Sequence, residues 1–255
     1  MPGLLSVRKN GGIATVTLEN PPMNVLSLQM TEELDKVFLQ LEEDRDVITI
    51  ILTGAGERAF MAGADIKEFP DRNKQENLMD THQVFNRIEN IPKPTIAALN
   101  GYTLGAGLEL ALVCDIRIAE EHAKIGLPEV DLGLLPGAGG TQRLPRVAGL
   151  SKAKEMMFTG EPLSAEEARE AGIVSYVVPK GKGKDKALEL AEKFATKSLQ
   201  ALSRIKRLAN VSDQLLLEEG LQLEKRLFDD LFVTKDAKEG VQAFIEKRKP
   251  VFTHQ

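Results

Sequence analysis

The chain has 255 residues, 42% of them hydrophobic and 28% charged, and carries a formal net charge of -5 at pH 7. That length can bury a substantial core, as one large domain or a domain with an appendage, and those proportions leave little room for long disorder. The acidic balance argues against a surface built for nucleic acid. The lone Cys114 excludes an internal disulfide, and His82, His122 and His254 stand in no spacing that suits a metal. No basic-then-apolar leader opens the sequence and no run of about 18 apolar residues occurs, so the expectation is a cytoplasmic protein with no membrane span.

In chain order, Ile13 to Leu18 alternates β-branched residues and stops at Pro21-Pro22, which predicts a strand. Thr31 to Glu43 predicts a helix, with Leu34, Val37, Phe38 and Leu41 on one face and Thr31 as N-cap. Val47 to Leu52 is an Ile-rich run expected of a central strand, closed by Gly54-Ala55-Gly56. A helix from about Lys74 to Asn90 follows, then a strand at Thr95 to Leu99, a helix from Gly105 through Val113, and a strand at Asp115 to Ala119. This alternation predicts an α/β fold. Beyond about residue 150 helices dominate. Leu163 to Ala168 reads as a capped helix start, Lys180 to Asp185 as a surface loop, and Lys186 to Lys249 as charged amphipathic helix. Leu215, Leu216, Leu217, Leu221, Leu223, Leu227 and Phe228 form an apolar face broad enough to dock on the core or on another subunit. No internal repeat is visible.

Two acids stand in improbable surroundings. Glu109 lies in Gly105-Ala106-Gly107-Leu108-Glu109-Leu110-Ala111-Leu112 and Glu129 in Ile125-Gly126-Leu127-Pro128-Glu129-Val130, both apolar settings that predict inward-pointing carboxyls. Burial raises a carboxyl pKa toward neutrality, where it can exchange protons. Two loops supply the complementary chemistry. Ala59 to Glu68 follows a buried strand with small residues and Asp65 as a helix cap, and Gly101 to Gly107 places small residues at a helix start. One amide from each could hold a carbonyl oxygen as it gains charge. Either loop alone reads equally well as a tight turn, and either acid alone as an internally bonded structural carboxylate; their joint occurrence favours a site. Gly54-Ala55-Gly56 and Gly105-Ala106-Gly107 lack the third glycine of a dinucleotide fingerprint, and Pro136-Gly137-Ala138-Gly139-Gly140-Thr141 lacks the phosphate-loop lysine, though it could shape a pocket floor or hold a water through a backbone amide.

The runs FMAGADIKEF (60–69), NGYTLGAGLELALVCDIRIA (100–119) and GLPEVDLGLLPGAGGTQRLPR (126–146) resemble the crotonase superfamily, and most closely its enoyl-CoA hydratases; the resemblance extends to the terminal EGVQAFIEKRKPVF. It implies a spiral of ββα units, here residues 1–195, with a C-terminal helical region, 196–255, that supports a homotrimer or a homohexamer built as a dimer of trimers. It implies an acyl-CoA thioester as substrate and no separate cofactor, coenzyme A being part of the substrate. Position by position, Ala64 and Ala106 match the oxyanion-hole amides, Glu109 and Glu129 the catalytic glutamates, and Gly137 a glycine that helps hold the catalytic water. Ala62, Gly63, Ala64, Asp65, Ile66 and Lys67 match the segment around the CoA adenine and pantetheine, with Gly105 and Ala106 completing the binding loops. Phe244 and Lys247 match residues that touch CoA from a neighbouring subunit. Ala106 departs from the common Gly-Gly-Gly run, which leaves its amide usable if its φ is negative. Met61, commonly smaller, could narrow the acyl channel. The family also offers two alternatives: a Δ3,Δ2-enoyl-CoA isomerase, which often lacks an acid at the position of Glu109, and a methylglutaconyl-CoA hydratase-like protein that binds RNA. For the second the only support is Lys197, Arg204, Lys206 and Arg207, which read as a solvated helix face.

Overall fold

Apolar runs and short connections build two sheets in the computed structural model, which describes residues 3–68 and 80–254. The elements in order are β1 (Leu5–Asn10), β2 (Ile13–Leu18), α1 (Leu28–Glu43), β3 (Thr49–Gly54), β4 (Ala59–Ala62), α2 (Thr81–Asn90), β5 (Thr95–Leu99), β6 (Tyr102–Leu104) and α3 (Ala106–Leu112). They continue with β7 (Ile116–Glu120), β8 (Lys124–Gly126), a 3-10 helix at Pro128–Leu132, α4 (Gly140–Ala148), α5 (Leu150–Thr159), β9 (Leu163–Ser164), α6 (Ala165–Glu170) and β10 (Tyr176–Val178). Four helices close the chain: α7 (Gly183–Ala195), α8 (Leu199–Asn210), α9 (Leu217–Phe232) and α10 (Lys235–Ile245).

One sheet runs β1-β2-β3-β5-β7-β10 and the other β4-β6-β8-β9. From β3 onward the chain repeats one unit: a strand in the first sheet, a short strand in the second, then a helical segment. This is the ββα spiral expected from the family resemblance, although no sequence repeat announces it. The first strands β3 and β5 are buried along their whole length, as central parallel strands require. The second strands are parallel neighbours whose ends are in register, Ala62 opposite Leu104 and Leu104 opposite Gly126. Their C-terminal ends therefore release three loops side by side at one edge of the sheet, where α/β folds place ligands.

Several local expectations are corrected. Helix α1 starts earlier than Thr31 because the Ser27 side chain accepts from Met30 N and caps it, while Thr31 is buried. The Lys180 to Asp185 segment is not wholly loop, since α7 begins at Gly183. There the Glu120 carboxylate accepts from Gly181 N (2.8 Å) and Gly183 N (3.1 Å), a negative group at a helix N-terminus supplied from a distant strand. The helix expected from Lys74 is seen from Thr81; 74–79 lie outside the described residues. Ser164 caps α6 with the reciprocal Glu167 contact, as its sequence predicts. Cys114 is buried, with its thiol pushed up to about 12 by desolvation, and so acts as a core residue.

Candidate active site

Each of the three parallel loops presents one piece of chemistry. The first is bridged to Leu26: Leu26 N donates to Gly63 O (2.9 Å) and Asp65 N donates to Leu26 O (2.8 Å). A parallel bridge uses the groups flanking the central residue, so the Ala64 N–H points away from Leu26. Asp65 then accepts from Lys67 N (3.0 Å) at the start of a 3-10 turn at 66–68, a short form of the helix its sequence is expected to cap. The second loop leads into α3, whose first residue is Ala106. Gly105 N is used by Gly126 O (2.9 Å), whereas the Ala106 N–H, at the first helical position, has no helical acceptor. Among the described residues no acceptor pairs with either the Ala64 or the Ala106 amide.

Glycines set the spacing. Gly105 has φ 54, and a Cβ there would lie 2.9 Å from Glu129 Oε1 and 3.5 Å from Gly63 Cα, so all three loops converge on this residue. A Cβ at Gly107 would fall 1.9 Å from the Met61 carbonyl oxygen, which locks α3 against β4. Ala106, between them, is outside the positive-φ set, so its side chain is tolerated and its amide stays available. The Met61 side chain is buried in the core beneath the loops and does not line the cavity, which corrects the expectation that it narrows an acyl channel.

The cavity between the loops has a volume of about 510 Å³. Both glutamates line it, with Ala62, Gly63, Ala64, Ile66, Gly105, Ala106 and Gly137. Leu26, Leu104, Leu132, Leu134 and Leu135 make much of its wall apolar. Asp65 and Lys67 stand outside this lining, and so do Phe244 and Lys247, which sit at the end of α10 and beyond it. Within one chain the structure does not bring those last two to the cavity.

Glu109 is 2% exposed. Its Oε1 accepts from Ala138 N (2.7 Å) and Gly140 N (2.8 Å), which fixes the carboxyl and leaves Oε2 without a donor among the described residues. Burial raises its pKa; the two amides and the electrostatic influence of His82 and Arg143 oppose the rise. The sequence pointed to the Pro136–Thr141 loop as a possible floor but not to these two amides, and a contact across about thirty residues leaves no periodic signal. Glu129 enters from the 3-10 helix, and its Oε2 is buried with no partner among the described residues. An unpaired buried carboxyl oxygen is costly and calls for a functional reason. Desolvation, helped by the nearby Glu109 charge, brings this carboxyl up to about 7.

The shift has a consequence for stability. Because the folded pKa of Glu129 lies above its ordinary 4.5, the fold loses stability as pH rises from about 4.5 to about 7, where the unfolded chain has ionised and the folded side chain still holds its proton. Glu129→Gln cannot ionise, so it is expected to be more stable than the parent at pH 8 and no more stable at pH 4. Allowing for partial exposure the gain is about 1–2 kcal/mol, or roughly 2–6 °C in Tm. Thermal melts at the two pH values check this; an identical offset at both would contradict it.

The likeness to known proteins agrees with this geometry. Residues 8–255 match the family model described as enoyl-CoA hydratase/isomerase. A "probable enoyl-CoA hydratase" of Bacillus subtilis is 48% identical, over 94% of this chain and 95% of that protein. The short-chain-enoyl-CoA hydratase of Clostridium acetobutylicum is 41% identical over 95% of each. A crystal structure of an enoyl-CoA hydratase from Bacillus anthracis superposes with a TM-score of 0.92 at 41% identity, covering 99% of this chain and 100% of the other. On sequence, fold and extent of match together, the chain belongs to the enoyl-CoA hydratase/isomerase family.

Proposed function

We propose that this enoyl-CoA hydratase adds water across the 2,3 double bond of a trans-2-enoyl-CoA through Glu109, Glu129 and the amides of Ala64 and Ala106. The observation that carries the reading is a pair of carboxyls with raised pKa on one apolar cavity, beside two amides from adjacent loops that have no acceptor among the described residues. Ionised Glu109 takes a proton from water as its oxygen bonds to C3. The double-bond pair moves to C2, and the thioester oxygen gains charge that the two amides stabilise. Protonated Glu129 delivers a proton to C2, giving the 3-hydroxyacyl-CoA. The two carboxyls end with exchanged protonation states and reset through solvent. Gly137 lines the same cavity, and its amide is assigned to holding the attacking water.

Coenzyme A belongs to the substrate, so the step calls for no cofactor. The 62–67 segment borders the cavity mouth through Ile66 and would meet the pantetheine and adenine. Exposed Leu216, Leu217, Leu221 and Phe228 on and beside α9 support packing of the C-terminal region into a trimer or a hexamer. In such an assembly Phe244 and Lys247 would reach a neighbour's CoA. No helix among the described residues is long and apolar enough to cross a membrane, and a cytoplasmic location fits that and the acidic charge.

An RNA-binding face is disfavoured by the placement of Lys206, which is buried and paired with Asp115 (2.9 Å) and the Lys93 carbonyl (3.1 Å). The 197–207 segment therefore does not present all its cations to solvent. Kinetics on enoyl-CoAs of increasing length, starting from crotonyl-CoA and including 3-methyl-branched members, test the reading against a 3-enoyl-CoA control. Hydration is expected to outrun isomerisation; the reverse order would favour the isomerase.

A further inference from the structure

We propose that Arg143 is a positioning residue for Glu109, acting as a strut that ties helix α2 to the loop whose amides hold the Glu109 carboxylate. This rests on the role proposed for Glu109.

The strut is complete at both ends. Arg143 Nε and Nη2 donate to Glu89 Oε1 (3.0 Å) and Oε2 (2.7 Å), a bidentate pair, and Nη2 also donates to Asn86 Oδ1 (2.7 Å). At the other end Nη1 donates to the Ala138 carbonyl (3.2 Å), in the loop that gives Ala138 N and Gly140 N to Glu109 Oε1. The guanidinium folds over Gly139, where a Cβ would lie 2.0 Å from Nη1 and where φ is 108. A side chain at 139 and the strut cannot coexist.

Its anchor is itself fixed. Helix α2 is tied to α1 by Arg87 and Asp35 (2.8 Å), and to α8 by the Asn210 side chain on the Glu89 carbonyl (3.1 Å). The same helix places Thr81 on the cavity wall. Lysine at 143 would keep the charge but not the planar fork that spans Glu89, Asn86 and Ala138. Among the described residues, the charged or titratable groups acting on Glu109 are His82 from α2 and Arg143 itself, and Glu109 in turn acts on Glu129 across the cavity.

The test is a double-mutant cycle on the full-length enzyme with crotonyl-CoA, combining Arg143→Met with Glu109→Gln, with Arg143→Lys and Glu89→Gln alongside. Arg143→Met is expected to lower kcat by about 10- to 100-fold with little change in KM, because misplacing a reacting group by about 1 Å has that scale of effect. In the Glu109→Gln background it should cost less than about twofold more. The acid limb of the pH profile should move up in Arg143→Met, which loses a positive charge near Glu109. It should move down in Glu89→Gln, where the arginine keeps its charge and loses its partner, and stay in place in Arg143→Lys, whose kcat remains low. Equal losses from Arg143→Met in both backgrounds, or a parent-like kcat, would overturn the proposal. If Arg143→Met fails to fold, Glu89→Gln carries the same cycle. Parent-like turnover by Glu109→Gln alone would instead overturn the role of Glu109, a failure visible before Arg143 enters.

Discussion

Ala106→Pro is expected to fold normally and to lose about 10²–10³ in kcat for crotonyl-CoA hydration, the usual effect of deleting one oxyanion-hole donor. Ala106 is the first residue of α3 and its N–H has no acceptor among the described residues, so proline removes no hydrogen bond seen there. Proline also restricts the residue before it, but Gly105 is already extended in the mirror sense, with φ 54 and ψ -126. The substitution therefore removes the hole donor while leaving the helix start as it is. Circular dichroism and a steady-state assay separate the two effects. Parent-like kcat in a folded variant would mean the developing charge is held elsewhere.

Glu109→Gln and Glu129→Gln are each expected to lower turnover by about 10²–10⁴-fold, the range for a positioned general acid or base. Both amides should fold, because Glu109 Oε1 only accepts bonds that a glutamine oxygen also accepts, and Glu129 Oε2 has no partner among the described residues to lose. In the hydration direction the parent needs Glu109 ionised and Glu129 protonated. Its kcat/KM should therefore fall on the alkaline side as the Glu129 carboxyl, brought up to about 7, ionises. It should fall on the acid side as Glu109 is protonated. The alkaline limb reports on both acids, since the Glu109 charge helps raise the Glu129 pKa. Residual turnover in Glu109→Gln should show its alkaline limb displaced downward, because that variant removes the negative charge that helps raise the Glu129 pKa.

Much of the architecture was legible in the sequence for simple reasons. The strand at Thr95 to Leu99 and the helix around Glu109 are short but almost wholly apolar and buried, the first entered from Pro94 and the second from Gly105. The short strands β4, β6 and β8 were not legible as strands, since three or four residues give no periodicity, and the first two read instead as loop. The start of α7 was hidden because its partner Glu120 is some sixty residues away in sequence. The same limit separates what was seen of the site from what was missed. Glycines and isolated acids mark Glu109, Glu129 and both amide loops locally. The hold of Ala138 and Gly140 on Glu109, and of Arg143 on that loop, exists only once α2, α3 and α4 are packed together.

The most direct measurement is the steady-state rate at which the purified chain hydrates crotonyl-CoA, read beside Glu109→Gln and Glu129→Gln in the same assay. The account predicts efficient hydration by the parent and loss by orders of magnitude in each folded variant. Near-parental hydration by either variant would contradict it.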